Sequence, residues 1–329
     1  MEELDILYTS DNKYIDILMS SMYSIIINSN LKKIRFHIVT SGFTLDDYKK
    51  IEIFFGKFSN VELEFYSLEN FNINDYNIPN WKGSQIANAR LFFQDIMGPK
   101  VTEIKNLLYL DSDTVIVSDL TDLVKYKNGL FLSKDIATKK YYKNLFNLDS
   151  YYNSGVIFIN IEQWTKCEYQ ERIIKFIEKQ NIKLTYPDQD ILNCSLNSEI
   201  KELPIDYNMS PYSYFFNSSL DRLYYNSKIR NVSYEEIKSA RMDPKILHSY
   251  GFSSIKPWDD EFNPFYKEFM KYLAEINPEF EAESLKTLKK IIIKFPELYK
   301  MLVVMLPYMP LEIDTGVKKL ILKLKKDND

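Results

Sequence analysis

The first hundred residues alternate between patterns typical of strands and patterns typical of helices. Short apolar runs of four to eight residues are typical of buried strands, and apolar residues at helical spacing mark one face of a helix. Taken in order, the predicted strands and helices cover residues 4–9, 15–26, 34–39, 45–58, 61–66, 84–97 and 107–110. Such alternation predicts an α/β fold, with a mainly parallel, Rossmann-like central sheet and helices on both faces. The second half is less regular, with predicted strands at residues 156–160 and 245–248 and a stretch of loops at residues 201–231.

Two acidic side chains, Asp111 and Asp113, follow the apolar run at residues 106–110. In an extended chain, residues two apart point to the same side, so the end of a core strand presents both carboxylates together. This end lies at the edge where open α/β sheets bind ligands. Two close carboxylates repel each other, and a hard divalent cation such as Mg²⁺ or Mn²⁺ removes that repulsion. The pair therefore predicts a metal site that holds phosphates, with a solvated turn as the alternative.

The composition excludes several kinds of site. The net charge of -4 argues against nucleic acid as the main partner. The eight glycines never lie close together, which excludes a phosphate-binding glycine loop. With only two histidines and two cysteines, the chain has neither a paired-histidine zinc motif nor a disulfide framework. Any bound phosphate must therefore be neutralised by a metal ion and by side chains.

The C-terminal segment differs in charge from the rest of the chain. Between residues 286 and 326, ten lysines stand against three acidic residues, with apolar residues interleaved. A basic amphipathic segment can lie on an anionic membrane surface, and the alternative is a helical pair packed on the catalytic domain. We expect no signal peptide, because no basic segment stands before the first predicted strand, and the low cysteine content fits a reducing compartment. We expect a cytoplasmic protein, with peripheral contact at the inner face of the membrane left open.

Further polar residues lie close to glycine or at the starts of predicted elements. His248 precedes Gly251, which lets backbone approach a ligand closely, and Lys256 stands on a proline-stiffened turn suited to a phosphate. One imidazole together with two carboxylates fits Mn²⁺. Asn153 and the polar residues 188–190, at the starts of a strand and a helix, can hydrogen-bond to sugar hydroxyls. Helix capping is the alternative role for the acids.

With these motifs the chain resembles glycosyltransferase family 8, the retaining nucleotide-sugar transferases that include glycogenin and bacterial lipopolysaccharide galactosyl- and glucosyltransferases. The resemblance runs in order over roughly residues 4–260. Its pieces are Ile6-Leu7-Tyr8-Thr9-Ser10-Asp11, Ala89-Arg90-Leu91, Leu108-Tyr109-Leu110-Asp111-Ser112-Asp113, Tyr152-Asn153-Ser154-Gly155-Val156, Asp188-Gln189-Asp190-Ile191-Leu192-Asn193, and His248 with Lys256-Pro257-Trp258. One departure is that four residues separate Gly251 from Lys256-Pro257-Trp258, where the family usually has two.

The resemblance implies a GT-A fold, with a catalytic domain at residues 1–262 and a helical C-terminal extension at residues 263–329. It also implies that a Mn²⁺ or Mg²⁺ ion, bridging the diphosphate of a UDP-sugar donor, is held by Asp111, Asp113 and His248. The residues implied to meet the nucleotide are Thr9, Asp11, Tyr14, Ser112, Gly251 and Lys256. Those implied to line the sugar pocket are Arg90, Asn153, Asp188 and Gln189. Among the catalytic candidates, Gln189 would stabilise charge near the anomeric carbon, with Asp188 beside it and Asp190 as the alternative nucleophile.

The resemblance therefore implies a retaining, metal-dependent hexosyltransferase that moves galactose or glucose from a UDP-sugar to a glycan or glycolipid acceptor. Two alternatives stay open. The run Asp111-Ser112-Asp113-Thr114 also fits the signature of haloacid-dehalogenase-like phosphatases, although in those enzymes it usually ends the first core strand. The second alternative is a non-catalytic protein that binds sugars or a membrane surface on the same fold.

Overall fold

A computed structural model of the chain describes residues 3–80, 84–137, 145–179, 184–216, 218–225, 231–251, 255–282 and 287–305. The strands are β1 Glu3–Asp11, β2 Lys33–Ser41, β3 Val61–Ser67, β4 Asn106–Leu110, β5 Thr114–Ile116, β6 Leu130–Lys134, β7 Tyr152–Asn160, β8 Ile200–Glu202 and β9 Ile246–His248. The α-helices are α1 Ile15–Asn28, α2 Leu45–Phe55, α3 Phe93–Met97, α4 Ile161–Lys166, α5 Tyr169–Lys179, α6 Pro187–Leu196, α7 Tyr212–Phe215, α8 Ser218–Tyr225, α9 Tyr234–Ala240, α10 Tyr266–Ile276, α11 Thr287–Lys294 and α12 Pro296–Met305.

In the part of the chain that the structure describes, seven strands form the central sheet in the order β3-β2-β1-β4-β7-β6-β8. Neighbouring strands among β3, β2, β1 and β4 pair in parallel, as do β6 and β8. By contrast, β7 runs antiparallel to both of its neighbours, β4 and β6. The prediction of a mainly parallel sheet is confirmed. Because β7 is reversed, its first residues lie at the same edge of the sheet as the last residues of β1 and β4.

Side chains that alternate along β1 pack into two different buried clusters. Ile6 and Tyr8 belong to a cluster that includes residues of α1 and α2, whereas Leu7 belongs to a cluster that includes residues of α5 and α6. Successive side chains of a strand point to opposite faces of its sheet. Burying an aliphatic side chain of this kind contributes about 1.5–3 kcal/mol. The predicted helices on both faces are therefore confirmed.

A separate two-stranded antiparallel ribbon joins β5 and β9. Its register pairs Thr114 with His248 and Ile116 with Ile246. The predicted last strand at residues 245–248 thus exists, but it pairs outside the central sheet. The backbone N–H of Ser249 also donates to the Asp113 carbonyl oxygen at 2.9 Å. The ribbon therefore carries His248 from a distant part of the sequence to a position beside Asp113.

Two predicted elements differ in the structure. The helix predicted at residues 84–97 begins as a 3₁₀ helix at Ile86–Phe92 and becomes α-helical only at Phe93–Met97. Arg90 Nε donates to the Ala87 carbonyl oxygen at 2.8 Å, a local bond that accompanies this tighter turn. The strand predicted at residues 156–160 begins earlier, at Tyr152, because its polar first residues are buried and hydrogen-bonded to side chains of α6.

Helix α10, in the predicted C-terminal extension, packs on the body of the protein. Phe269 and Leu273 lie in a buried cluster with Ile17 of α1, and Asn28 Nδ2 donates to the Tyr272 hydroxyl at 2.7 Å. The division of the chain at residue 262 stays a prediction.

The basic run at residues 318–326 lies outside the described residues. Within the described part of the chain, no helix combines the length and the apolar character needed to cross a membrane.

Candidate active site

Asp111 and Asp113 lie in a tight turn between two strands. The strand β4 ends at Leu110 and β5 begins at Thr114. The Asp111 carbonyl oxygen accepts bonds from Thr114 N at 3.2 Å and from Thr114 Oγ1 at 2.8 Å. The two carboxylates do converge, but the predicted cause, alternation along an extended strand, is wrong. The chain curls around this turn, and the ribbon then brings His248 against it.

Asp111, Asp113 and His248 each offer one ligand atom, and these atoms lie within 4.8 Å of one another. His248 Nε2 is 3.4 Å from Asp111 Oδ2 and 3.2 Å from Asp113 Oδ1. The other oxygen of each carboxylate meets a basic side chain, since Arg90 Nη2 is 2.8 Å from Asp111 Oδ1 and Lys256 Nζ contacts Asp113 Oδ2. Two carboxylate oxygens and one imidazole nitrogen therefore face one another, a donor set that fits Mn²⁺.

Burial and charge act on these three side chains in opposite directions. Burial raises the pKa of Asp111, but Arg90 and His248 outweigh it and leave the pKa lowered. Burial likewise raises the pKa of Asp113, and Lys256 with His248 brings it well below its usual range. For His248, burial lowers the pKa, whereas its contacts with Asp111 and Asp113 raise it above its ordinary value. Both acids are therefore ionised at neutral pH, and each carboxylate is already paired with one basic side chain, Arg90 or Lys256.

Gly155 leaves the space in which this cluster forms. Its carbonyl oxygen accepts a hydrogen bond from Asp111 N at 2.8 Å, next to the pairing of β4 with β7. A Cβ atom at this position would lie 2.0 Å from His248 Cε1 and 2.6 Å from Asp111 Oδ2. Both separations are far shorter than the roughly 3.5 Å at which non-bonded atoms attract. The close approach of two predicted metal ligands to backbone therefore requires glycine here.

Arg90 joins the predicted metal ligands to the predicted sugar pocket. Besides its contact with Asp111, its Nε lies 3.2 Å from Asp188 Oδ2, and its Nη1 donates to the Ser154 carbonyl oxygen at 2.7 Å. Ser154 Oγ donates to the same Asp188 oxygen at 2.8 Å. The guanidinium carbon is 4.6 Å from the centre of the Tyr109 ring. One buried cation therefore links two carboxylates that the sequence predicts to act on different parts of the substrate.

The side-chain amide of Gln189 is fixed by partners on both sides. Its Oε1 accepts bonds from Asn153 Nδ2 at 3.0 Å and from Ser154 N at 3.1 Å, which engages both lone pairs of the oxygen. Its Nε2 donates to Asp135 Oδ2 at 3.0 Å. The structure thus brings Gln189 and Asn153 together, as the predicted sugar pocket requires.

The carboxylate of Asp190 is engaged in structural hydrogen bonds. Its Oδ1 accepts a bond from the Tyr151 hydroxyl, and its Oδ2 accepts bonds from Thr185 N at 2.6 Å and Tyr186 N at 2.9 Å. The side chain is fully buried, and burial raises its pKa. These bonds anchor the start of α6. A nucleophilic role for Asp190 stays a prediction.

The residues predicted to meet the nucleotide begin at the end of β1. Thr9 Oγ1 lies 3.0 Å from the Tyr109 hydroxyl, which itself donates to Asp111 Oδ1 at 2.7 Å. Ser112 Oγ lies 3.5 Å from the Thr9 carbonyl oxygen. Asp11 is the last residue of β1 and is half-buried. Thr9 is therefore connected to Asp111 through the Tyr109 hydroxyl, and Ser112 lies between the two predicted acidic ligands in the turn.

The remaining nucleotide candidates lie around Lys256. The ring of Tyr14 packs edge-on against Trp258, with the ring centres 5.9 Å apart. Burial raises the pKa of Tyr14 above its ordinary value, although the nearby charge of Lys256 acts in the opposite direction. Gly251 has φ of +74°, and a Cβ there would lie 2.4 Å from Ala137 Cβ, so this position also needs glycine. Residues 252–254, which make up most of the family departure, lie outside the described residues.

Asp135 and Asn208 are buried residues of the site that lie outside every motif predicted from the sequence. Asp135 directly follows β6, at the same edge of the sheet as Asp111. The apolar run at residues 130–132 is the sequence signal that could have indicated a strand ending before this acid. Asn208 has its Oδ1 2.9 Å from His248 Nδ1, and its Nδ2 donates to Asn153 Oδ1 at 2.9 Å. It lies in a stretch predicted as loops, and no sequence pattern distinguishes it.

Comparisons of the sequence with known proteins agree with the resemblance. The profile of Glycosyl transferase family 8 matches residues 5–261. A lipopolysaccharide 1,2-glucosyltransferase of Escherichia coli is 30% identical over 197 residues, which cover 57% of this chain and 54% of the relative. The protein of the same name from strain K12 is 25% identical over 316 residues, covering 92% of this chain and 86% of that one. General stress protein A of Bacillus subtilis is 24% identical over 282 residues, covering 83% and 94%.

Solved structures agree in fold. The galactosyltransferase LgtC, in complex with donor and acceptor sugar analogs, superimposes with a TM-score of 0.68 at 21% identity, over 87% of this chain and 99% of LgtC. The bifunctional glycosyltransferase WbbM gives a TM-score of 0.64 at 20% identity, over 84% of this chain and 51% of WbbM. The predicted GT-A fold is confirmed. With its profile match extending over residues 5–261, the chain belongs to glycosyltransferase family 8.

Proposed function

We propose that this glycosyltransferase transfers galactose or glucose from a UDP-sugar to a glycan or glycolipid acceptor, with retention at the anomeric carbon and with a divalent cation. The observation that carries the proposal is the convergence of Asp111, Asp113 and His248 at the sheet edge that also gathers the predicted sugar pocket. The relatives named as lipopolysaccharide glucosyltransferases, and the fold shared with a galactosyltransferase, support a hexose and a cell-surface glycan. Family membership argues against a haloacid-dehalogenase-like phosphatase.

Asp111, Asp113 and His248 are the residues that would hold Mn²⁺ or Mg²⁺. Their donor set of two carboxylates and one imidazole suits such an ion, and Gly155 leaves room for the ligands to meet. When bound, the cation supplies Lewis-acid stabilisation of the negative charge that develops on the leaving diphosphate.

Lys256 supplies a second positive charge for the diphosphate. Its Nζ contacts Asp113 and donates to the Ser249 carbonyl oxygen at 2.7 Å, so the ammonium group is held beside the predicted metal ligands. Burial lowers the pKa of Lys256, but Asp113 raises it above its ordinary value, and the side chain stays charged. In this proposal Lys256 and Gly251 meet the diphosphate. The uridine is met by Thr9, Asp11, Tyr14 and Ser112.

The sugar pocket is formed by Arg90, Asn153, Asp188 and Gln189, which bind and orient the donor hexose. The bond between the anomeric carbon and the diphosphate oxygen breaks, and the acceptor hydroxyl attacks that carbon from the face that UDP leaves. Its proton passes to a phosphate oxygen of UDP, and the anomeric configuration is retained. Gln189 lies near the anomeric carbon in this proposal, and its amide dipole, fixed between Asp135 and Ser154, stabilises the positive charge that develops there. The engaged carboxylate of Asp190 favours a structural role over that of a nucleophile.

The proposal is tested by measuring UDP release from UDP-glucose and UDP-galactose with Mn²⁺, with and without a glycan acceptor. We expect activity that a chelator abolishes and that Asp113→Asn lowers by at least about 10²-fold. A matched control is Asp46→Asn on α2, where the carboxylate is 93% exposed. Product anomeric configuration is read by NMR. Turnover that survives both the chelator and Asp113→Asn would overturn the proposal, and so would ligand binding without any turnover.

We also propose that residues 1–262 form the catalytic domain and that the extension at residues 263–329 attaches to the inner face of a membrane. Exposed apolar side chains at the start of α12 support this proposal. Phe295, which precedes the helix, is 51% exposed, and Leu298 and Met301 are each 58% exposed. Apolar side chains near a basic segment favour anionic lipid surfaces. Co-sedimentation of the full chain with anionic but not with neutral vesicles is the expected result, and equal binding to both would contradict it.

A further inference from the structure

Five buried side chains form one continuous hydrogen-bonded chain that ends at His248. Gln189 Nε2 donates to Asp135 at 3.0 Å, and Asn153 Nδ2 donates to Gln189 Oε1 at 3.0 Å. Asn208 Nδ2 donates to Asn153 Oδ1 at 2.9 Å, and Asn208 Oδ1 lies 2.9 Å from His248 Nδ1. All five side chains belong to residues at most 6% exposed, so water does not compete for these bonds.

The direction of this chain is set by two backbone N–H groups at the start of β7. A side-chain amide alone looks nearly the same with its oxygen and nitrogen exchanged. Ser154 N, however, approaches Gln189 Oε1 at 3.1 Å, and Gly155 N approaches Asn153 Oδ1 at 3.0 Å. A backbone N–H can only donate, so each of these amides must turn its oxygen toward β7. Reversing either amide would place donors against donors in a buried site.

The fixed amides determine where the proton of His248 lies. Since Asn153 Oδ1 is an acceptor, Asn208 turns its NH₂ group toward it and its Oδ1 toward His248. A carbonyl oxygen accepts only, so His248 Nδ1 must carry a hydrogen. In the neutral imidazole the other nitrogen, Nε2, then keeps its lone pair. Nε2 is the atom that faces Asp111 Oδ2 and Asp113 Oδ1.

We propose that Asn208 and Asn153 are positioning residues that hold His248 in the Nδ1–H tautomer, so that Nε2 is presented as a metal ligand. The inference rests on the proposed metal-dependent function and extends it in two ways: it includes Asn208, which contacts a predicted metal ligand without being one, and it gives Asn153 a second role besides the proposed sugar pocket. Metal-binding histidines are oriented by an acceptor at their other nitrogen, and loss of that acceptor typically costs 10–100-fold in metal affinity. Here the acceptor is the side-chain oxygen of Asn208. The orientation of this amide is set through Asn153 by the backbone N–H of Gly155 in β7.

The test compares two variants of Asn208. Asn208→Leu removes the oxygen that accepts from His248 Nδ1, whereas Asn208→Asp keeps such an oxygen and loses only the donor to Asn153. The chain has two histidines, so His37→Gln assigns the ¹⁵N-histidine NMR signals of His248 without ambiguity. In the metal-free protein with neutral His248, we expect the proton on Nδ1 in the wild type and in Asn208→Asp. In Asn208→Leu we expect a shift of the proton toward Nε2 and a fall in Mn²⁺ affinity of about 10–100-fold.

Asn160→Ala is the matched control, because Asn160 stands at the other end of β7 and caps α4 through a 2.9 Å bond from Gln163 N. It should lower stability without moving the His248 proton. A proton on Nε2 in the wild type, or undiminished Mn²⁺ affinity in Asn208→Leu, would overturn the inference. If Asn208→Leu does not fold, the wild-type and Asn208→Asp spectra still decide. A wild type that binds no Mn²⁺ but shows the Nδ1–H tautomer would instead overturn the proposed function.

Discussion

Replacing Gly155 with alanine should dismantle the metal-ligand cluster while leaving most of the fold in place. The new methyl carbon would start 2.0 Å from His248 Cε1 and 2.6 Å from Asp111 Oδ2. Restoring a contact of roughly 3.5 Å requires the imidazole to move by about 1.5 Å. The ring has little room to do so, since its Nδ1 is bonded to Asn208 and the Tyr250 ring centre lies 4.7 Å from its own.

A displacement of this size is large compared with what a metal site tolerates. Ligand distances vary by only about 0.2 Å in functional sites. We therefore expect Gly155→Ala to lower Mn²⁺ affinity by at least about 10²-fold, which corresponds to about 2.7 kcal/mol of binding free energy. Overpacking at one buried position costs about 1–3 kcal/mol in unfolding free energy, so the variant should still fold.

The assay is a titration with Mn²⁺ followed by electron paramagnetic resonance, together with urea unfolding. The control is Gly98→Ala, where φ is +61° and nothing lies within 4 Å of the added Cβ. That variant should lose stability of about 1–3 kcal/mol through backbone strain alone and bind Mn²⁺ like the wild type. Wild-type Mn²⁺ affinity in folded Gly155→Ala would refute the reasoning, because the metal ligands would then not depend on this space.

Three further results are expected. Mn²⁺ affinity should rise with pH and level off above the raised pKa of His248, because the protonated imidazole competes with the cation. The same raised pKa affects the stability of the metal-free protein. There, protonated His248 stabilises the fold fully below about pH 6.5, and this contribution is lost as pH rises through the raised pKa. Titrations with Mn²⁺ and unfolding curves at several pH values check both parts. Lys256→Met should lower transfer by about 10²-fold without weakening Mn²⁺ binding, since Asp113 loses a competing cation; a parallel loss of both would contradict this. Asp221→Asn should cost about 3 kcal/mol of unfolding free energy in urea with Mn²⁺ affinity unchanged, because it breaks the paired bonds to Arg241 at 2.7 and 2.8 Å; an unaltered unfolding curve would count against it.

The parts of the fold that depend on local sequence pattern were predictable. The apolar spacing of α1 and the alternation of strands and helices up to β4 follow from burial of one helix face and of whole strands. The direction of β7 was not predictable in this way, because a strand's direction depends on how the chain returns to the sheet. That reversal is what places Asn153 and Gly155 at the same edge as Asp111.

The candidate site likewise combines residues that a local sequence pattern indicates with residues that no such pattern indicates. Asp111, Asp113 and His248 stand in motifs, and the structure brings them together. Asn208 has no motif, because its importance arises from contacts with residues 40 and 55 positions away. Asp135 did have a local signal, a short apolar run before an acid, but such a run is too short to distinguish strand from loop without the neighbouring strands.

The most direct test of the central claim is an anomalous-scattering map from a crystal grown with UDP and Mn²⁺. The account predicts one strong manganese peak held by Asp111 Oδ2, Asp113 Oδ1 and His248 Nε2, with the diphosphate of UDP bound to the same ion. A manganese peak away from these three atoms, or UDP bound at this edge of the sheet without any ion, would contradict it.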